Sequence, residues 1–217
     1  MKKAFTMIEL VFVIVVIGIL AAVIIPRSRT NPLYEAATQL VSHIRYTQHL
    51  AMVDDKFDST TGSEWYMKRW QILFSNANST LSYIIFSDYY NKDGNPNASS
   101  AYSEVAKDPS NSGKYLIGTE YSSFFSDSSD SLNKKLDLKN SYGITNVDLS
   151  SECTYSTSQK IAFDHLGRPL KGALNTYASA YPASTRMISS RCRITLSNSD
   201  GNVTIAIEPE TGYAHIL

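Results

Sequence analysis

The chain has 217 residues, with 20 Lys+Arg against 20 Asp+Glu and a formal net charge of zero. That balance excludes binding of a polyanion by bulk charge, and 43% apolar with 18% charged residues excludes a wholly disordered chain. The averages hide an asymmetry, because residues 1–26 hold 20 apolar residues and three charges, Lys2, Lys3 and Glu9.

The first predicted element is therefore an apolar helix. Leu10 to Ile25 carries no charge, and Phe5, Met7 and Ile8 extend the run beyond Glu9. From Phe5 to Ile25 a helix rises about 31 Å, the thickness of a hydrocarbon core of about 30 Å. Val and Ile are poor helix formers in water, but in lipid the backbone has to pair internally. Glu9 is the exception in the run. A carboxylate costs roughly 2.5–3.5 kcal/mol at a bilayer centre, and less near the headgroups. A cleaved secretory signal would use Met1–Lys3 as its basic region with a cut after Ala21 or Ala22, but Glu9 sits where its apolar region should already have begun.

The order Lys2-Lys3-Ala4-Phe5-Thr6-Met7-Ile8-Glu9-Leu10, then an apolar run and Pro26, resembles the class III signal of type IV pilins and type II secretion pseudopilins. The resemblance implies a leader of residues 1–4, cut by a prepilin peptidase between Ala4 and Phe5, with methylation of the new amino group. Ala4 departs from the Gly usual before the cut. The resemblance also implies that Glu9 pairs with the amino terminus of a neighbouring subunit during assembly. An unpaired buried charge is costly, while a paired one contributes little net stability, so such a pair sets register.

Residues 27–53 read as a second, amphipathic helical segment. Pro32 suits a first helical turn, and Leu33, Ala36/Ala37, Leu40/Val41, Ile44, Thr47 and Leu50/Ala51 recur at helical spacing. Joined to residues 5–26, this predicts one long amino-terminal helix of about 70 Å, transmembrane and then amphipathic. From residue 54 the pattern changes to short apolar or alternating runs. Trp70–Phe74, Leu81–Phe86, Lys160–Phe163, Arg191–Leu196, Val203–Ile207 and Tyr213–Ile216 read as antiparallel strands, separated in places by turn residues such as those at 76–79. Residues 91–158 are rich in Ser, Asn, Asp, Tyr and Lys, and read as a polar loop insertion with little regular structure. The expected class is α+β, with the long helix packed on an antiparallel sheet as in the pilin fold. Phe163-x-x-x-Gly167-Arg168-Pro169 and the closing Glu210-Thr211-Gly212-Tyr213 resemble H-type minor pseudopilins and related minor pilins.

Several constellations carry possible chemistry. Cys153 and Cys192 form an even count, which in an exported domain points to a disulfide. Arg191 and Arg193 share the outer face of one strand, and Arg168, Lys171 and Arg186 make a wider basic set for DNA contact. A solvated strand face explains the same alternation, since no stacking aromatics interleave. Asp88, Asn91 and Asp93 hint at a calcium loop, although Tyr89 breaks the EF-hand pattern and a plain Asp-Gly turn fits as well. Asp164-His165 with a distant Ser is the one triad that can be drawn, without a Gly-x-Ser-x-Gly elbow, and an enzyme is not expected. The 14 tyrosines, among them Tyr83, Tyr89, Tyr90, Tyr102, Tyr115, Tyr121 and Tyr142, fit either packing or a contact surface at a filament tip.

The functional expectation is a minor pilin or pseudopilin without a cofactor. Its expected partners are other pilins or pseudopilins, the prepilin peptidase and an inner-membrane assembly platform, with the domain of residues 54–217 exported to the periplasm. The alternatives are a DNA-binding minor pilin of a transformation system and a single-pass anchored binding domain.

Overall fold

The computed structural model describes residues 6–24, 31–75, 80–97, 101–120, 131–181 and 184–217. The leader, Ala4, Phe5, Pro26, the turn at 76–79 and Tyr121 lie outside the described residues. The chain divides into two compact units, Met1–Asn31 and Pro32–Leu217.

In the first unit α1 (Met7–Ile24) is a helix of 18 residues. Its large apolar side chains from Met7 to Leu20 are exposed, Met7 at 86% and Phe12 at 69%. The expected long amino-terminal helix is not what forms. α1 and α2 (Pro32–Val53) are separate elements, and no helix among the described residues is long and apolar enough to cross a membrane. α1 rises only about 27 Å, and Phe5 and Ile25, which complete the apolar run in sequence, lie outside the described residues. Pro32 opens α2, a position where its missing N–H is no loss but where its ring disfavours a helix running in from the residue before.

The second unit is α+β with antiparallel sheets. Leu33, Ala36, Ala37, Leu40, Val41, Ile44, Thr47 and Ala51 form the buried stripe of α2, as their spacing implies. The strands are β1 (Trp70–Ser75), β2 (Ser82–Ser87), β3 (Lys107–Asp108), β4 (Asn111–Tyr115), β5 (Asn146–Leu149), β6 (Lys160–Phe163), β7 (Pro169–Lys171), β8 (Cys192–Asn198), β9 (Gly201–Ile207) and β10 (Ala214–Ile216). One sheet has the order β2-β1-β6-β7, a second the order β10-β9-β8-β5, and β3-β4 is a hairpin. α2 packs on both larger sheets. In the first, Ile72 stands opposite Ile85 on one side and Ile161 on the other, and all three join the α2 stripe in the main core. In the second, Cys192, Ile194 and Leu196 point inward, with Ile194 opposite Ile205.

Residues 91–158 differ from the expectation of loose surface loops. Val105, Ala106, Leu116, Ile117, Leu132, Leu136, Leu138 and Ile144 are all buried. Residues 105–106 and 116–117 lie along the free edge of β2, where the Ile85 N–H donates to the Leu116 carbonyl and the Ala106 N–H donates to the Ile85 carbonyl, each at 3.0 Å. Covering an edge in this way satisfies backbone groups that would otherwise template aggregation. α4 (Leu138–Tyr142) and β5 follow; the single helical turn α3 (Ala101–Glu104) precedes β3.

Candidate functional site

At the amino terminus, Thr6 and Glu9 close a reciprocal cap. Glu9 Oε2 accepts from the Thr6 backbone N–H and from the Thr6 hydroxyl, both at 2.9 Å, and the Glu9 N–H donates back to Thr6 Oγ1 at 3.4 Å. This is a Thr-x-x-Glu capping box, which satisfies donors that a helix start leaves free. The spacing was visible in the sequence. In the isolated chain the Glu9 carboxylate is thus held at the exposed start of α1, one helical turn in sequence past the expected cut between Ala4 and Phe5.

Cys153 and Cys192 form a disulfide across a separation of 39 residues, with Cα atoms 4.9 Å apart. Both are fully buried. The bridge ties the turn after β5 to the first residue of β8. α2 clamps two turns together. Gln48 Nε2 donates to the carbonyls of Gly167 at 2.8 Å and Thr211 at 2.7 Å. Gly212 has φ +64°, and a Cβ there would lie 2.4 Å from the Gly167 carbonyl oxygen, so only glycine fits. The Phe-x-x-x-Gly-Arg-Pro turn and the closing Glu-Thr-Gly-Tyr turn therefore meet as one unit. Within the first turn, Asp164 accepts from the Leu166 and Arg168 N–H groups and from Arg168 Nε at 2.7 Å. Those bonds engage both carboxylate oxygens of Asp164 within its own turn.

The basic residues are spread over different elements. Lys171 lies on β7 in the first sheet and Arg193 on β8 in the second. Arg168 is paired with Asp164 and Arg191 with Glu208 at 2.8 Å. Arg186 stacks on Tyr155, its guanidinium carbon 3.5 Å from the ring centre, with Tyr177 at 4.9 Å. The Asp88 loop is likewise knitted by its own donors. Asp88 accepts from the Lys92 N–H at 2.9 Å and from the Gly94 N–H. Asn91 and Asp93 bond each other at 3.0 Å, and the Lys160 ammonium donates to the Gly94 carbonyl. Burial pushes the Asp88 carboxyl up to about 6. No group of three or more His, Cys, Asp or Glu able to hold a metal exists among the described residues. Of the tyrosines, Tyr83 and Tyr142 are buried, while Tyr89 and Tyr90 are exposed.

Sequence reasoning missed a cleft on the Pro32–Leu217 unit. It has a volume of about 460 Å³ and opens between α2 and residues 108–110 and 133–135, with His43, Gln39, Ser42, Asp108, Asn133 and Lys135 among its walls. A chain of hydrogen bonds fixes its floor. Gln39 Nε2 donates to the Lys135 carbonyl at 2.9 Å, which settles the orientation of that amide because a carbonyl only accepts. Gln39 Oε1 then accepts from the Tyr142 hydroxyl at 2.6 Å, and Nε2 also donates to the Tyr83 oxygen at 3.3 Å. The Tyr83 hydroxyl in turn donates to His43 Nδ1 at 2.7 Å. Burial holds His43 down to about 4, with Lys135 adding to the shift and Asp108 opposing it. With Nδ1 as acceptor, the assignment that gives the Tyr83 hydroxyl proton a partner, the proton of the neutral ring sits on Nε2. Burial raises the Tyr83 phenol far above its usual range, which keeps it a donor.

Comparison with protein-family models, with curated proteins and with solved structures gives no match.

Proposed function

We propose that the chain is a minor pilin or pseudopilin, a non-enzymatic subunit of a type II secretion pseudopilus or a type IV pilus. It is held at the inner membrane by its apolar amino-terminal segment, with the Pro32–Leu217 unit on the periplasmic side until assembly. The reading rests on Glu9, a lone carboxylate in the first turn of α1, whose large side chains from Met7 to Leu20 are otherwise apolar and exposed. A helix apolar on every side requires cover, which lipid supplies before assembly and like helices supply within a filament. The resemblance of residues 1–26 to the class III signal completes the reading.

The mechanism has stages. Lys2 and Lys3 keep the leader on the cytoplasmic side. A prepilin peptidase cuts between Ala4 and Phe5. The freed ammonium then pairs with the Glu9 carboxylate of a neighbouring subunit, and an assembly platform moves the helix from lipid into the bundle. Glu9 is already oriented by Thr6, so little side-chain freedom is left to lose in that step. The test is Glu9→Ala in cells. Filament assembly should be lost while the Cys153–Cys192 disulfide still forms, and assembly or secretion that continues unchanged contradicts the reading.

A further inference from the structure

The cleft between α2 and residues 108–110 and 133–135 holds a histidine whose tautomer is set by a hydrogen-bond relay that ends in the cleft. His43 is 8% exposed and Asp108 is 6% exposed. His43 Nδ1 is taken by Tyr83, and Nε2 makes no hydrogen bond among the described residues. A buried imidazole with a fixed N–H donor aimed into open space is a group prepared for an acceptor.

The neighbouring groups define that acceptor. Asp108 Oδ1 accepts from the Ser110 N–H at 2.8 Å and the Ser110 hydroxyl at 2.6 Å, and Oδ2 accepts from Asn133 Nδ2 at 2.6 Å. A carboxylate has about four acceptor positions, so one remains. Glu35 and Asp108 oppose an anion in the cleft, and Lys135 opposes a cation. Ser42 and Thr38 add hydroxyls along one wall. The complementary group is neutral and both accepts and donates at one atom, which describes an alcohol. A volume of about 460 Å³ lies within the range of about 300–1,000 Å³ for small-molecule sites and admits a ligand larger than a single hydroxyl group.

We propose that this cleft binds a neutral saccharide, with one sugar hydroxyl accepting from His43 Nε2–H and donating to the Asp108 carboxylate. The site belongs to the Pro32–Leu217 unit alone, so it stands or falls independently of how α1 assembles.

The test uses the full chain in a sugar-free detergent. Saturation-transfer NMR against a panel of neutral oligosaccharides, the cello-, malto- and chito-series, is the first measurement. At least one member should bind at millimolar concentration. Ser42→Trp places an indole in the cleft from an exposed position and should weaken that binding by about tenfold or more. Tyr83→Phe keeps the ring and removes the hydroxyl, so ¹⁵N shifts of His43 should change from a single Nε2–H tautomer to a mixture, with weaker binding. No binding across the panel overturns the proposal, as does binding that Ser42→Trp leaves unchanged. Binding confined to acidic glycans, through Lys114 and Lys134 in the adjoining hollow, or to peptides also overturns it.

Discussion

Gln48 of α2 and Gly167 of the turn before β7 are joined by a 2.8 Å hydrogen bond, although 119 residues separate them in the chain. The same amide nitrogen reaches Thr211, so one helical side chain holds two turns that belong to different sheets. Gly212 closes the arrangement by bringing its backbone where no Cβ fits.

This clamp predicts an order of effects. Gln48→Ala leaves two carbonyls without their donor and should cost about 1–3 kcal/mol. Gly212→Ala adds a side chain at φ +64° against a carbonyl oxygen, and should cost more than the roughly 1 kcal/mol of an unfavourable backbone angle alone. Gly143→Ala is the control, with φ +67° and open space around its Cβ. Thermal melts of the three variants should rank Gly212→Ala below Gly143→Ala.

The disulfide should be a major contributor to stability. Closing a loop of 39 residues restricts the unfolded chain by about 4 kcal/mol on the loop-entropy model. Cys153→Ala/Cys192→Ala should melt well below the oxidised protein, and a reductant should lower the oxidised protein toward the same temperature without affecting the double variant.

Acid should destabilise the domain through His43. Its folded pKa, about 4, lies below the ordinary value of 6.5. The unfolded chain therefore binds the proton first, and this contribution to stability is whole above pH 6.5 and is lost as pH falls toward 4. Asp88 acts with the opposite sign. Its carboxyl is raised from 3.8 to about 6, so its ionisation removes stability as pH rises from 3.8 through 6. His43→Gln separates the two, since the stability gap between wild type and variant should shrink from pH 7 to pH 4. NMR of the wild type should show an imidazole midpoint near 4, and a midpoint near 6.5 would contradict the buried relay.

Some of this structure is legible in the sequence and some is not, for identifiable reasons. The α2 stripe and strands β1, β2, β6, β8, β9 and β10 follow from their apolar runs and alternation, because each turns apolar side chains into the core. β3, β4, β5 and β7 escape it. Lys107–Asp108, Asn111–Tyr115, Asn146–Leu149 and Pro169–Lys171 are short, mostly polar edge elements placed by their partners rather than by their own pattern. The insertion reads as surface because its apolar residues come singly or in twos and threes between polar stretches, yet Leu116, Ile117, Leu132 and Leu136 are all fully or nearly fully buried. The expected continuous amino-terminal helix fails at Pro32, which begins a helix and does not extend one. Glu9 stands out in one dimension as a charge in an apolar run. The cleft does not, because His43, Tyr83, Asp108 and Asn133 converge only when α2, β2, β3 and the 133–135 turn are folded together.

The filament-subunit reading depends most on one covalent event, the cut before Phe5. Mass spectrometry of the amino terminus of the protein purified from its native cells tests it directly. A mature chain beginning at a methylated Phe5 is the expected result, whereas an intact Met1 or a terminus near Ala22 would contradict it.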